Sequence, residues 1–320
     1  MAIEPARGVF RIRTPAADLF SRWVVNAAGL HADSVARALD PTLPRAYPCR
    51  GEYLLLDKEA GERVRLPVYP VPPAGGAGLG VHVTPTVDGN VLIGPSAEYL
   101  SNREDTACTE AVMTRLTDEV GALWPSLPAH RVIATFAGIR AKLSPPEQGG
   151  YAPFFIEPSH EYPRLINLLG LESPALSAAP AIADRVVHEI IGAAERLDEK
   201  PPSELRQRRW PDRFDDLSEA EKARRVAADP DHGEIVCRCE GVTRHEVLHA
   251  LANPLGVRTL TGLKYRCRIT MGRCSGGYCL PRFVEMMRSE HRWSPERFTL
   301  RDARSPLFAG WVKEPNDGCG

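Results

Sequence analysis

Lysine is scarce in this 320-residue chain: six of its forty basic residues are Lys and the rest are Arg. Against 41 acidic residues, those forty leave a formal net charge of −1, so the basic excess of a general nucleic-acid binder is missing. Long apolar runs are missing too. Each hydrophobic stretch is broken by Arg, Asp, Gly or Pro well short of the roughly 18 residues that a membrane-crossing helix needs. The opening MAIEPARGVFRIRTP has no apolar core of the kind found in a secretory signal. A soluble, cytoplasmic protein is expected, with membrane association limited to peripheral contact through a partner.

What is present points to redox or metal chemistry. The length suits one large or two modest domains, and 43% hydrophobic residues supply a core. Twenty-nine prolines interrupt the chain too often for a helical bundle. Cys49, Cys108 and Cys319 stand alone, whereas Cys237, Cys239, Cys267, Cys274 and Cys279 crowd together. Without a secretion signal, such crowding indicates metal or redox use and not a disulfide framework.

The patterning predicts an α+β portion over 1–195, a linker over 196–232, a small helical domain over 233–300 and a tail over 301–320. WVVNAAG is an apolar strand ending in glycine, and HADSVARALD has helical spacing. GEYLLLD and GVHVTPTVDGNVLIGP read as strands, with Asp88-Gly89 as a hairpin turn. Residues 103–125 read as helix, RVIATFAGIRAKL and LINLLG as strands, and a long helix is expected to start near Ser177.

The cysteines pair as C-x-C (Cys237, Cys239) and C-x4-C (Cys274, Cys279), leaving Cys267 unpaired as a non-ligand. Four thiolates, two per iron, suit a [2Fe–2S] cluster. Gly272, Gly276 and Gly277 permit close backbone approach to the sulfurs. Arg238, Lys264, Arg266, Arg268 and Arg273 are placed to offset the cluster's negative charge. A structural zinc or unligated buried thiols are the other readings, although a C-x-C pair suits one tetrahedral ion poorly. CRCEGVT, LKYRCR and MGRCSGGYC together resemble the bacterioferritin-associated ferredoxin-like [2Fe–2S] domain over about 234–290.

Three further features lie upstream. Small residues Asn26, Ala27, Ala28 and Gly29 close a strand and let a large ligand approach the backbone, or simply make a packing turn. Arg140, just past an apolar strand, suits an anion clamp or a surface ion pair. The helix start at Ala175–Ala178 offers N–H donors to an electron-rich ring edge.

In order, VVNAAGLHAD, CRGEYLLLD, GLGVHVTPTVDGNVLIGPSAEY, FAGIRAKL and GLESPALSAAPAIA resemble the D-amino-acid-oxidase-type FAD-dependent oxidoreductases. The likeness is to glycerol-3-phosphate and 2-hydroxyglutarate dehydrogenase-like members and, with the ferredoxin-like module, to anaerobic glycerol-3-phosphate dehydrogenase A subunits. The resemblance implies FAD beside Asn26–Gly29, Arg50–Tyr53 (with Gly51) lining the interior, and Glu172, Ser173, Pro174, Ala175, Leu176 and Ser177 closing on the flavin ring. It also places Arg140 and His82 in the substrate pocket as catalytic residues; for His82 a purely structural role is the other reading. Ala141, Ala175 and Ser177 depart from the Pro, Gly and Thr usual in the family.

The dinucleotide fingerprint G-x-G-x-x-G is not found between a strand and a helix; in the run at 75–80, Val81 takes the third glycine's place. The chain is therefore expected to be the carboxy-terminal part of such an enzyme. It would oxidise a small anionic hydroxy substrate and pass electrons from flavin to the [2Fe–2S] cluster and then to an acceptor. The alternative is a non-catalytic electron-transfer module that needs an FAD-domain partner subunit.

Overall fold

The computed structural model describes residues 2–6, 8–71, 79–127, 131–205 and 212–310. The chain divides into two units, 1–205 and 206–320.

In the first unit, β1 (Ala2–Ala6), β2 (Val9–Arg13) and β3 (Asp18–Ser21) form an antiparallel meander. They are followed by β4 (Val24–Asn26), helix α1 (Ala32–Arg37), the long strand β5 (Tyr47–Leu56) and helix α2 (Lys58–Gly61). Next come β6 (His82–Pro85), β7 (Val91–Gly94), β8 (Glu98–Tyr99), helix α3 (Glu110–Leu123) and β9 (Val132–Lys142). The unit closes with β10 (Phe155–Pro158), β11 (Leu165–Leu169) and α4 (Ala175–Asp184), which runs on through the π-helical Arg185–Ile191 into α5 (Gly192–Ala194).

Strand β5 organises the unit. Along one edge it pairs with β7 and β8, and along the other β9 follows it from Tyr47 to Leu56, all antiparallel. The β6–β7 hairpin turns at Asp88-Gly89, where Gly89 takes φ +86°, a conformation that glycine adopts without strain. Because side chains alternate along a strand, Leu54 and Leu56 face α3 and bury with Val83, Val91, Ile93, Val112, Leu116 and Val120. Each such side chain contributes about 1.5–3 kcal/mol over its exposed state. The opposite face carries the cross-strand pairs Tyr53–Phe136, Gly51–Gly138 and Cys49–Arg140. A second sheet pairs β10 with β11 antiparallel and β11 with β4 parallel, bringing Asn167 beside Asn26.

Helix α3 begins at Glu110, later than the expected start at 103, because polar side chains hold the preceding residues in turns. Asn102 and Asp105 accept N–H bonds from Glu104 and Ala107 at 2.9 and 3.0 Å. The expected long helix starts at Ala175, two residues before Ser177.

In the second unit lie α6 (Glu219–Ala228), the β12 (Ile235–Cys237)–β13 (Val242–Thr243) hairpin, α7 (Arg244–Leu251), α8 (Leu260–Cys267) and α9 (Cys279–Ser289). Their core is built on Val236, Val247, Leu263, Ile269, Phe283, Met287 and Phe298. Helix α6 falls where the sequence suggested linker. Ser218 caps it by accepting the Glu221 N–H, and nearby Phe214 is buried. The expected tail likewise folds back: the Leu307 N–H donates to the Phe298 carbonyl at 2.8 Å. Residues 206–211 of the linker reading, 311–320 of the tail (Cys319 among them) and 75–78 of the glycine run lie outside the described residues.

Candidate redox sites

The four paired cysteines come together in the second unit. Cys237 ends β12, Cys279 opens α9, and Cys239 and Cys274 occupy the loops beside them. The Cys279 thiol donates to Cys237 and pulls the latter down to about 6, helped by backbone N–H groups of Glu240, Thr270 and Cys239. Cys279 is raised in return. Cys274 is held low, first by the Tyr278 N–H and further by the Cys239 thiol. For Cys239 the Cys274 N–H works downward, but burial and the Cys274 sulfur leave it raised.

These N–H groups reach the sulfurs because the loop takes unusual backbone turns. Arg268, Thr270 and Ser275 all have positive φ, as does Gly276 at +93°. Gly272 is obligatory for another reason: a Cβ there would lie 2.2 Å from the Cys239 Cβ. Cys267 is separate. Its Sγ donates to the Leu263 carbonyl at 3.5 Å, and burial pushes its thiol up to about 12. The basic residues around the cluster are partly committed elsewhere: Arg268 pairs with the buried carboxylate of Glu240 at 2.8 Å, and Arg238 lies over the Tyr278 ring at 4.4 Å. Glu240 was not apparent from the sequence.

In the first unit the open face of the sheet is floored by glycine. A Cβ on Gly138 would meet nothing within 4 Å, while one on Gly51 would press on Pro95 at 3.0 Å and Arg140 Nη2 at 3.4 Å. Arg140 stands next to this floor, its Nη2 fixed at 2.6 Å on the Ser96 carbonyl and its buried Nε without a partner. Tyr53 and Phe136 stack beside it with centroids 5.0 Å apart. His82 pairs in register with Gly94 on the same face, stacks on Tyr69 at 4.5 Å and bonds through Nδ1 to the Gly80 carbonyl at 3.0 Å. A carbonyl only accepts, so Nδ1 carries a proton, and in the neutral ring the lone pair is on Nε2.

Arg50 is on the other side of β5, buried and paired with Glu52 at 2.9 Å and Asp105 at 2.8 Å. Glu52 also accepts the Thr109 N–H at 2.7 Å, one residue before α3. The loop from Leu171 to Ser177 lines an open depression of about 570 Å³ at the start of α4. Lys142, which sequence reasoning missed, holds this loop: its ammonium lies 3.0 Å from Glu172 Oε1 and 2.6 Å from the Gly150 carbonyl. At the ends of β4 and β11, Asn26 donates to the Ala32 carbonyl at 2.8 Å and to Asn167 Oδ1 at 2.9 Å. Asn26 Oδ1 and Asn167 Nδ2 stay buried without partners, and Gly29 in this loop turns at φ +56°.

The chain thus presents an open glycine-floored face with an oriented guanidinium and, in the second unit, four thiols wrapped by backbone N–H groups. Residues 2–189 match the model of the "FAD dependent oxidoreductase" family, and residues 235–289 match the "BFD-like [2Fe-2S] binding domain". The chain belongs to the FAD-dependent oxidoreductase family and carries a BFD-like [2Fe–2S] domain.

It is similar to the glycerol 3-phosphate dehydrogenase of Caloramator mitchellensis, 36% identical over 281 residues, covering 88% of this chain and 57% of that protein. The mitochondrial L-2-hydroxyglutarate dehydrogenase of Arabidopsis thaliana is 33% identical over 54% of this chain and 38% of its own. The chain thus spans less than two thirds of either relative. Among solved structures, the Mycoplasma pneumoniae L-alpha-glycerophosphate oxidase with FAD bound is 28% identical with a TM-score of 0.50, over 62% of this chain and 51% of that one. The FAD-complexed glycerol-3-phosphate dehydrogenase of Bacillus halodurans, at 16% identity, shares the fold with a TM-score of 0.57 over 93% of this chain and 65% of its own.

The residues present fit the ring half of FAD. The glycine floor leaves space, the orphaned amide atoms of Asn26 and Asn167 lie by a small-residue loop, and the Leu171–Ser177 depression is open. For the ADP half this sequence has no G-x-G-x-x-G. The four-thiol set, with its N–H donors, fits a [2Fe–2S] cluster. No helix among the described residues is long and apolar enough to cross a membrane.

Proposed function

We propose that this chain supplies the substrate-facing and electron-relaying parts of an FAD-dependent dehydrogenase acting on a small anionic secondary alcohol, glycerol 3-phosphate or a 2-hydroxy acid. FAD, when bound, would supply a hydride acceptor and a [2Fe–2S] cluster a one-electron relay to an acceptor. Asn26–Gly29 and Ser173–Ser177, with Gly51, would border the flavin ring. Cys237, Cys239, Cys274 and Cys279 would hold the cluster.

Arg140 carries the reading. Its Nη2 is pinned by the Ser96 carbonyl, so the guanidinium is oriented before substrate arrives. An anionic phosphate or carboxylate over the glycine floor would pair with this oriented cation. His82 Nε2, with its lone pair set by the Gly80 contact, would accept the hydroxyl proton as hydride leaves carbon. We place the reaction in the cytoplasm, with any membrane contact made through the electron-accepting partner.

With the dinucleotide-binding half supplied, Arg140→Ala is expected to raise KM for glycerol 3-phosphate at least tenfold while kcat changes by less. An unchanged KM removes Arg140 from the site. A second reading, an electron-transfer module working only with a separate FAD-binding half, is favoured by the lack of G-x-G-x-x-G in the sequence. With that half added, the two separate on turnover: loss in Arg140→Ala and His82→Ala with the cluster intact supports the first, and turnover unchanged in both supports the second.

A further inference from the structure

A cluster of metal-ligating side chains lies apart from the four cysteines. Asp229 precedes the 3-10 turn Pro230–Gly233, which contains His232, and His245 stands in the first turn of α7. One donor atom from each residue falls within 4.8 Å of the others. We infer that Asp229, His232 and His245 form a binding site for a divalent zinc-type ion, distinct from the iron–sulfur site.

Four observations carry this. First, His232 is only 8% exposed, yet its Nδ1 is buried without a hydrogen-bond partner. A ring nitrogen left so is unfavourable, and a metal bond would satisfy it. Second, the Asp229 carboxylate is already oriented. Oδ1 accepts the Asp231 N–H at 3.0 Å, while Oδ2 is turned to His245 Nδ1 at 2.6 Å.

Third, the His232 and His245 rings lie together, their centroids 3.9 Å apart, so both imidazoles stand beside the one carboxylate. Fourth, the side chains of Asp229 and His245 are 40% and 38% exposed, so an ion has a way in.

Two nitrogens and one carboxylate oxygen are the donors that zinc accepts, at bonds of roughly 2.0–2.2 Å that set ligand atoms about 3.3 Å apart. To close the present spread of up to 4.8 Å, the two rings turn out of their stack so that their in-plane lone pairs meet at one ion. On binding, the ion replaces the proton shared by Asp229 Oδ2 and His245 Nδ1, and that proton leaves to solvent. The ion would tie the 3-10 turn before β12 to the start of α7.

The test uses the full chain with its cluster intact, dialysed without oxygen against zinc chloride, with zinc, iron and sulfide counted on one sample. One zinc per chain is expected, with iron and sulfide unchanged and only nitrogen and oxygen ligands in X-ray absorption at the zinc edge. His245→Ala and Asp229→Asn are expected to weaken zinc binding at least tenfold. Both positions are half-exposed, and Asn keeps the acceptor that caps the turn, so folding is spared. No bound zinc, zinc that displaces iron, sulfur among its ligands, or variants that bind zinc as tightly as the unchanged chain overturn the assignment.

Discussion

Lys142 and Glu172 form an ion pair 3.0 Å long, with side chains 6% and 2% exposed, between the end of β9 and the loop that leads into α4. Lys142 also caps the Gly150 carbonyl and sits 4.7 Å over the Tyr151 ring. One ammonium thus fixes the Leu171–Ser177 depression to the strand that carries Arg140.

Removing the ammonium leaves a buried carboxylate alone. Lys142→Met is expected to cost about 3 kcal/mol of stability, because an uncompensated buried charge outweighs the gain in apolar fit. A urea titration that finds less than about 1 kcal/mol would show that the pair does not hold the loop.

Asp33 gives a pH signature. Burial by itself raises its pKa, but the Arg103 guanidinium and the N–H groups of Ala46 and Ser34 outweigh burial and hold it below the usual carboxylate range. A carboxyl depressed in the folded state contributes stability that is complete above its unfolded pKa of about 4 and is lost as pH falls through that value toward the folded one. The urea midpoint of the native chain should exceed that of Asp33→Asn at pH 7, with the gap closing below about pH 4. A gap independent of pH would contradict the role of the charge.

The two floor glycines should behave differently. At Gly138 an added methyl meets nothing, so Gly138→Ala should leave stability within about 0.5 kcal/mol while filling space over the open face. At Gly51 the same methyl presses on Pro95 and Arg140. In the assembled enzyme we expect Gly138→Ala to raise KM or weaken flavin binding without lowering the melting temperature, and Gly51→Ala to lower that temperature as well. Full activity in Gly138→Ala would show that substrate and flavin lie elsewhere.

Around the four thiols, Gly272→Ala should lose iron, since its Cβ would overlap Cys239, and Cys267→Ser should keep it. Iron analysis of the two variants reads this directly, and the reverse pattern would reassign the ligands.

Features carried by neighbours in sequence were legible before the fold. The C-x-C and C-x4-C pairs, the Asp88-Gly89 turn and the strand bearing Arg140 all announce themselves over a few residues. Features made by chain crossing were not. Glu172 meets Lys142 across 30 positions, Glu240 meets Arg268 across 28, and His245 meets Asp229 across 16. No periodicity links such pairs. Prolines and charges between 196 and 232 suggested linker because α6 is a polar helix with no fully buried residue, held by its Ser218 cap. Arg50 was expected near the flavin, but strand alternation sends it to the face opposite Arg140's glycine floor, where Glu52 and Asp105 neutralise it.

The most direct measurement is iron, acid-labile sulfide and flavin on one anaerobically purified sample of the full chain, with its visible spectrum before and after one-electron reduction. Two irons and two sulfides per chain are expected, with a spectrum that bleaches on reduction and loss of all three in Cys274→Ser. A chain that holds zinc on its cysteines, with neither iron nor sulfide, would contradict this.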